Sequence, residues 1–75
     1  MIFQNVQYVG ETTNDIIQGR FYNIDVKRMM DKDNIKRDIA FVYYTQTFEN
    51  CICAITYIPR DWRYNERTTN DIFRF

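Results

Sequence analysis

Between Phe21 and Met30 apolar and polar residues alternate, with Tyr22, Ile24 and Val26 interleaved by Asn23, Asp25 and Lys27. Successive side chains of an extended strand point to opposite faces, so this period of two predicts a strand with one core face and one wet face. The rest of the composition extends the argument. Ile, Thr, Tyr and Phe are abundant while Leu is absent and Ala occurs only twice, and β-branched and aromatic side chains suit a pleated surface better than a helix.

The neighbouring segments read as further strands. Ile2 to Val9 forms a first run that stops at Gly10, and the polar stretch Glu11 to Asp15 before Ile16 and Ile17 predicts a loop or a short helical turn. Asp31 to Asp38, charged and turn-rich, is expected to be an exposed hairpin loop. Ile39 to Tyr44 and Cys51 to Ile58 are continuous apolar runs and are expected to pair as central strands. Apolar residues on both faces of such strands imply closure into a barrel or cover from a partner chain. Pro59 ends the run because it cannot donate to a ladder, Arg60 to Trp62 is expected as a tight turn, and Asp71 to Phe75 as the last strand. The expected fold is mainly β: a single domain over residues 1–75, built as a small five-stranded antiparallel curled sheet or barrel with at most one short helical turn.

What is missing narrows function. The 75 residues contain no His and no Ser, which removes the commonest general base and the commonest hydroxyl nucleophile. With only Gly10 and Gly19, no phosphate-cradling glycine loop can be written. The expectation is a protein that is not an enzyme and carries no cofactor. Ten Lys and Arg balance ten Asp and Glu, so no long-range field draws the chain to nucleic acid or an anionic membrane. No apolar run is long enough to span a bilayer, and residues 1–10 lack the features of a signal peptide. A cytoplasmic location is expected. A chain this short buries a core of marginal size, so pairing of two copies is expected to add burial.

Four stretches could carry chemistry. Cys51 and Cys53 would share a strand face with Cα atoms about 6.5 to 7 Å apart, a poor disulfide geometry. Two thiols without His fall short of a zinc site, so both are expected as buried side chains of a central strand. Asp31, Asp33 and Asn34 imitate the start of a calcium loop, but Lys36 stands where the loop needs Gly and Val42 where it needs a bidentate Glu. No metal is expected there. The hairpin is either a solvated tip or a mixed-charge finger that inserts into a partner. The segment from Pro59 onward mixes Arg60, Arg63, Arg67 and Arg74 with Trp62, Tyr64, Phe73 and Phe75. That mixture occurs in ordinary cores, at protein interfaces and on single-strand binding surfaces. Thr12 to Ile16 recurs as Thr68 to Ile72; good turn-forming residues account for the echo, and two similar loops facing one partner are the alternative.

Three short motifs, Tyr8-Val9-Gly10, Gly19-Arg20-Phe21-Tyr22 and Tyr57-Ile58-Pro59-Arg60-Asp61-Trp62, give the chain a pattern that resembles the small Src-homology-3-like barrel proteins encoded by phages of low-GC bacteria. The likeness covers most of residues 4–62, and the chain departs from the pattern from Arg63 onward. The resemblance implies an accessory binder that occupies a host replication, transcription or defence protein, and it implies no catalytic residue. The expected function is steric inhibition of a host nucleic-acid-processing protein, with the replication sliding clamp, RNA polymerase and a defence nuclease as candidate targets. Expected partner contacts are Asp31, Asp33, Arg60, Trp62, Arg63 and Tyr64. A small-barrel nucleic-acid binder and a virion or assembly component are the alternatives.

Overall fold

The computed structural model describes residues 1–64 of the chain. Five antiparallel strands form one sheet: β1 (Ile2–Tyr8), β2 (Phe21–Met30), β3 (Lys36–Tyr43), β4 (Cys53–Thr56) and β5 (Trp62–Arg63). Their order is β4-β3-β2-β1-β5, so β1 to β4 follow the chain as a meander and β5 returns to pair with β1. The strands expected at residues 2–9 and 21–30 form where alternation predicts them. The strand expected at Asp71 to Phe75 and the second copy of the Thr-Thr-Asn-Asp-Ile echo lie outside the described residues. Among the described residues the fifth strand is Trp62–Arg63, held in register by Gln7 opposite Arg63 and Tyr8 opposite Trp62.

The sheet curls into a half-barrel. Although β4 and β5 are its two edges, Tyr57, just past β4, stacks on Phe3 of β1 with ring centroids 6.5 Å apart. Its hydroxyl also hydrogen-bonds that of Tyr64, which follows β5. The concave side encloses Val6, Tyr8, Ile16, Tyr22, Ile24, Val42 and Trp62. Ile16 reaches this core from the loop between β1 and β2. The Thr13 hydroxyl accepts the N–H groups of Asp15 and Ile16, and Thr12 accepts that of Gln18. Turn chemistry thus accounts for the first copy of the echo.

Four expectations need correction. Asn23, assigned to the wet face of β2, is only 2% exposed. Its burial follows from a register shift in β1 between Phe3 and Val6, where Asn5 takes a left-handed φ of 54°. The displaced Asn5 N–H donates to Asn23 Oδ1 at 3.0 Å, and Asn23 Nδ2 donates to the Thr47 carbonyl at 3.2 Å. A bulge leaves a ladder donor without a partner, and the buried amide supplies one. Second, the β2–β3 turn is shorter than expected: Asp31 to Ile35 makes the turn, while Lys36 to Asp38 already pair with Arg28 to Met30. Third, among the described residues β4 stands at the edge of the sheet and is shorter than the apolar run, because a meander places its middle strands, β2 and β3, at the centre. Cys51 therefore lies exposed before β4, with Cys53 half-buried. Fourth, Pro59–Asp61 forms a single 3-10 turn and Trp62 belongs to the strand that follows.

The bulge yields a direct test. Asn23→Ala leaves a buried N–H and a carbonyl without partners and is expected to cost about 2 to 3 kcal/mol in urea unfolding. Asn5→Gly keeps the positive φ and is expected to change stability by less than about 1 kcal/mol. Equal costs for the two would remove the amide from this role.

Candidate functional site

The three motifs quoted above meet at one end of the half-barrel. Tyr8 folds its ring over Gly10, where an added Cβ would come within 2.8 Å of the Tyr8 hydroxyl, and that hydroxyl donates to the Glu11 carbonyl at 2.7 Å. Gly19, at a φ of 91°, donates its N–H to the Tyr8 carbonyl at 2.7 Å. Only glycine tolerates both demands at low cost. Tyr22 receives the Ile17 N–H on its hydroxyl. The Pro59 corner joins them, since Val9 N–H donates to the Asp61 carbonyl at 2.8 Å. Trp62 packs at 5.0 Å from Tyr8 and edge-on to Tyr22 at 6.4 Å.

This arrangement divides the expected contact residues. Trp62 is 3% exposed and is a core residue, which corrects its assignment as a surface contact. Strand alternation explains the difference: Trp62 stands opposite Tyr8 on the core face, and Arg63 opposite Gln7 faces out. Arg60 and Arg63 are exposed, and Tyr64 is half-buried with its ring 4.8 Å from Phe3. The corner thus presents two guanidinium groups outward over rings that face inward.

Asp31 and Asp33 stand elsewhere. Arg63 is level with Gln7 and Phe21, at the start of β2, whereas Asp31 follows its last residue. The length of β2 separates them along the sheet, roughly 30 Å at the usual strand rise. The two groups do not form one site.

What surrounds Asp31 is an arm. On one side Met1 still exchanges backbone hydrogen bonds with Val26, and on the other Tyr57 N–H still reaches the Asp38 carbonyl, but nothing among the described residues pairs beyond these two. Arg28 to Arg37 therefore extends past the sheet as a two-stranded ribbon. Asp31 organises its tip: Oδ1 accepts the N–H groups of Asp33 at 2.9 Å and Ile35 at 3.0 Å, and Oδ2 accepts Arg37 Nε at 2.6 Å. Asn34 supplies the left-handed residue, at a φ of 61°. Arg28 Nε donates to Asp38 Oδ1 at 3.1 Å farther down. With those charges paired, the arm still exposes Met29 by 47%, Met30 by 58% and Ile35 by 49%, beside Lys32 and Lys36. The apolar tip is the feature that reading the segment as a charged loop missed, although all three residues flank or interrupt the charged run.

The two thiols make no joint site. Cys51 donates to the Cys53 carbonyl at 3.1 Å, and burial, followed by the nearby Asp15 carboxylate and Cys51, raises the Cys53 thiol above its ordinary pKa, which keeps it protonated and a poor nucleophile. Among the described residues no three His, Cys, Asp or Glu side chains come together as a metal site, and no helix is long and apolar enough to cross a membrane. Comparison with protein-family models, with curated proteins and with solved structures gave no match.

Two titrations follow from this geometry. The backbone N–H of Ile35, then Arg37, hold the Asp31 carboxyl below its ordinary 3.8, so the order of the arm tip is expected to persist above that pH and to be lost as pH falls through the lowered value. Amide exchange at Asp33 and Ile35 reads it, and Asp31→Ala is expected to speed both at neutral pH without moving the melting point of the domain. Burial, then the hydrogen bond to Tyr57, pushes the Tyr64 phenol well above its ordinary 10. The unfolded chain then ionises first, so stability is expected to fall as pH rises above 10. Tyr64→Phe should flatten that fall; an unchanged slope would assign it to another group.

Proposed function

We propose that the chain is a non-enzymatic binding protein of the phage type its motifs suggest, acting in the cytoplasm of a bacterial host. It occupies a host protein of nucleic-acid processing and blocks it sterically, the sliding clamp, RNA polymerase and a defence nuclease being the candidate targets. The observation that carries this reading is the arm, a braced two-stranded ribbon that exposes Met29, Met30 and Ile35 beyond the sheet. Met29 and Met30, consecutive in β2, offer apolar side chains on both faces of the ribbon, and methionine adapts to the irregular floor of a partner's groove. Asp31 serves by shaping the tip, Asp33 lies at its apex, and Arg60, Arg63 and Tyr64 offer a separate contact at the opposite end.

Nucleic acid is the second reading, because a two-stranded ribbon can enter a major groove and Lys32 and Lys36 lie on this one. The pairing of Arg28 with Asp38 and Arg37 with Asp31 weighs against it, since those guanidinium groups are already engaged. The virion or assembly role has no observation of its own.

The test compares the tagged protein with a Met29→Asp, Met30→Asp variant in pull-downs from nuclease-treated bacterial lysate. One stoichiometric host protein, lost with the variant and retained with Arg63→Ala, is the expected result. The same protein recovered equally by both would take the arm out of the function. Binding to DNA that weakens steeply with salt would favour the second reading.

A further inference from the structure

The outer edge of β4 has the makings of an interface with a second copy of the chain. β4 ends the sheet, and among the described residues no strand lies beyond it. Natural sheet edges are blunted by lysines, prolines within the strand or inward charges. Here residues 50–59 contain no charged residue at all, in a chain whose charged fraction is 27%. An open edge with this composition invites another strand.

The register shows which groups are on offer. Tyr57 N–H donates to the Asp38 carbonyl at 2.8 Å, and Ile55 stands opposite Ala40. In an antiparallel ladder the inward-bonding residues alternate with outward-bonding ones. Cys53 and Ile55 therefore bond to β3, while Ala54 and Thr56 direct their N–H and C=O groups away from the sheet, and both are exposed. At Ile52 the alternation breaks, because its N–H also goes to β3, at the Val42 carbonyl. Within β4 the free edge is thus Ala54 and Thr56; past the strand Ile58 is still extended, at φ −117° and ψ 107°, but its carbonyl already accepts the Asp61 N–H.

We infer that β4 pairs antiparallel with β4 of a second copy about a two-fold axis at Ile55, joining the two sheets into one. In this register Ala54 faces Thr56 of the other copy and Thr56 faces its Ala54. All the outward groups of both residues are then used, each N–H meeting a C=O. A register centred on Ala54 sets Thr56 opposite Ile52, whose N–H is turned inward to Val42, and one centred on Thr56 sets Ala54 opposite Ile58, whose carbonyl already accepts the Asp61 N–H. A two-fold contact must be self-complementary, and this strand is: it has no charge to repel its own copy, and the whole chain is net neutral at pH 7. The outer-face residues opposite these positions, Phe41 beside Ala54 and Ile39 beside Thr56, are half-buried and continue the apolar surface across the junction. Because β4 of the second copy runs the other way, the two arms point in opposite directions.

This pairing stands independently of what the arm binds. The experiment is amide exchange on the purified full chain over a dilution series, with sedimentation on the same samples. Expected is a dimer in which the amides of Ala54 and Thr56 lose protection on dilution while those of Cys53 and Ile55 keep theirs. Ala54→Pro removes an outward N–H and leaves the inward ladder intact, and is expected to weaken association by about thirtyfold, one donor being lost per copy. Thr56→Lys, which keeps the backbone and adds like charges to the edge, should also yield monomers with an unchanged circular dichroism spectrum. A chain that stays monomeric at every concentration would overturn the inference. So would a dimer insensitive to both variants, or protection of Ala54 and Thr56 that does not depend on concentration, since the edge would then be covered within one chain.

Discussion

The fold depends on Trp62 reaching the Tyr8 and Tyr22 rings. A four-stranded meander has a concave face open at one side, and a sheet that thin does not exclude water from its core. β5 is only two residues long, so its ladder adds little by itself. What fixes it is the burial of a large indole against two tyrosines, worth about 3 to 5 kcal/mol on the scale of large-to-small core substitutions. The 3-10 turn at Pro59–Asp61 aims the chain so that this ring enters, and the bond from Val9 N–H to the Asp61 carbonyl locks the corner to the end of β1.

Around that closure the molecule separates stability from reach. The core residues come from β1, β2, β3 and β5 and from the loop after β1, whereas Arg28 to Arg37 projects where neither β1 nor β4 accompanies it. The arm holds its shape by turn hydrogen bonds and cross-strand ion pairs rather than by burial. Exposed ion pairs contribute little to global stability, so the arm can vary in sequence or adjust to a partner without loosening the barrel. The Arg60 and Arg63 corner is the reverse case, two charged groups mounted on the best-packed part of the fold.

Much of this was legible in the residues. Alternation from Tyr22 to Lys27 placed β2, Pro59 marked the end of the fourth apolar run, and turn-forming residues explained Thr12 to Ile16. The misreadings have common physical causes. Asn23 was read as wet because alternation assumes a regular ladder, and the bulge at Asn5 is a property of two strands together. β4 was read as central because an uncharged run looks alike at the centre and at an edge; sheet order, not hydropathy, distinguishes them. Trp62 was read as a contact because aromatic and Arg residues side by side suit a core as well as an interface.

By itself the sequence determined that this is a small mainly β chain: period-two patterning and β-branched and aromatic side chains leave few alternatives in so few residues. It also limited the chemistry, since side chains that are absent cannot act. Only the tertiary structure decided which groups work together. It brought Tyr8, Tyr22 and Trp62 into one cluster, set Asp31 and Arg63 a full strand length apart, and turned a charged loop into a projecting arm with an apolar tip. Those outcomes rest on strand order and register, which arise from pairing between distant segments, and no local pattern records them.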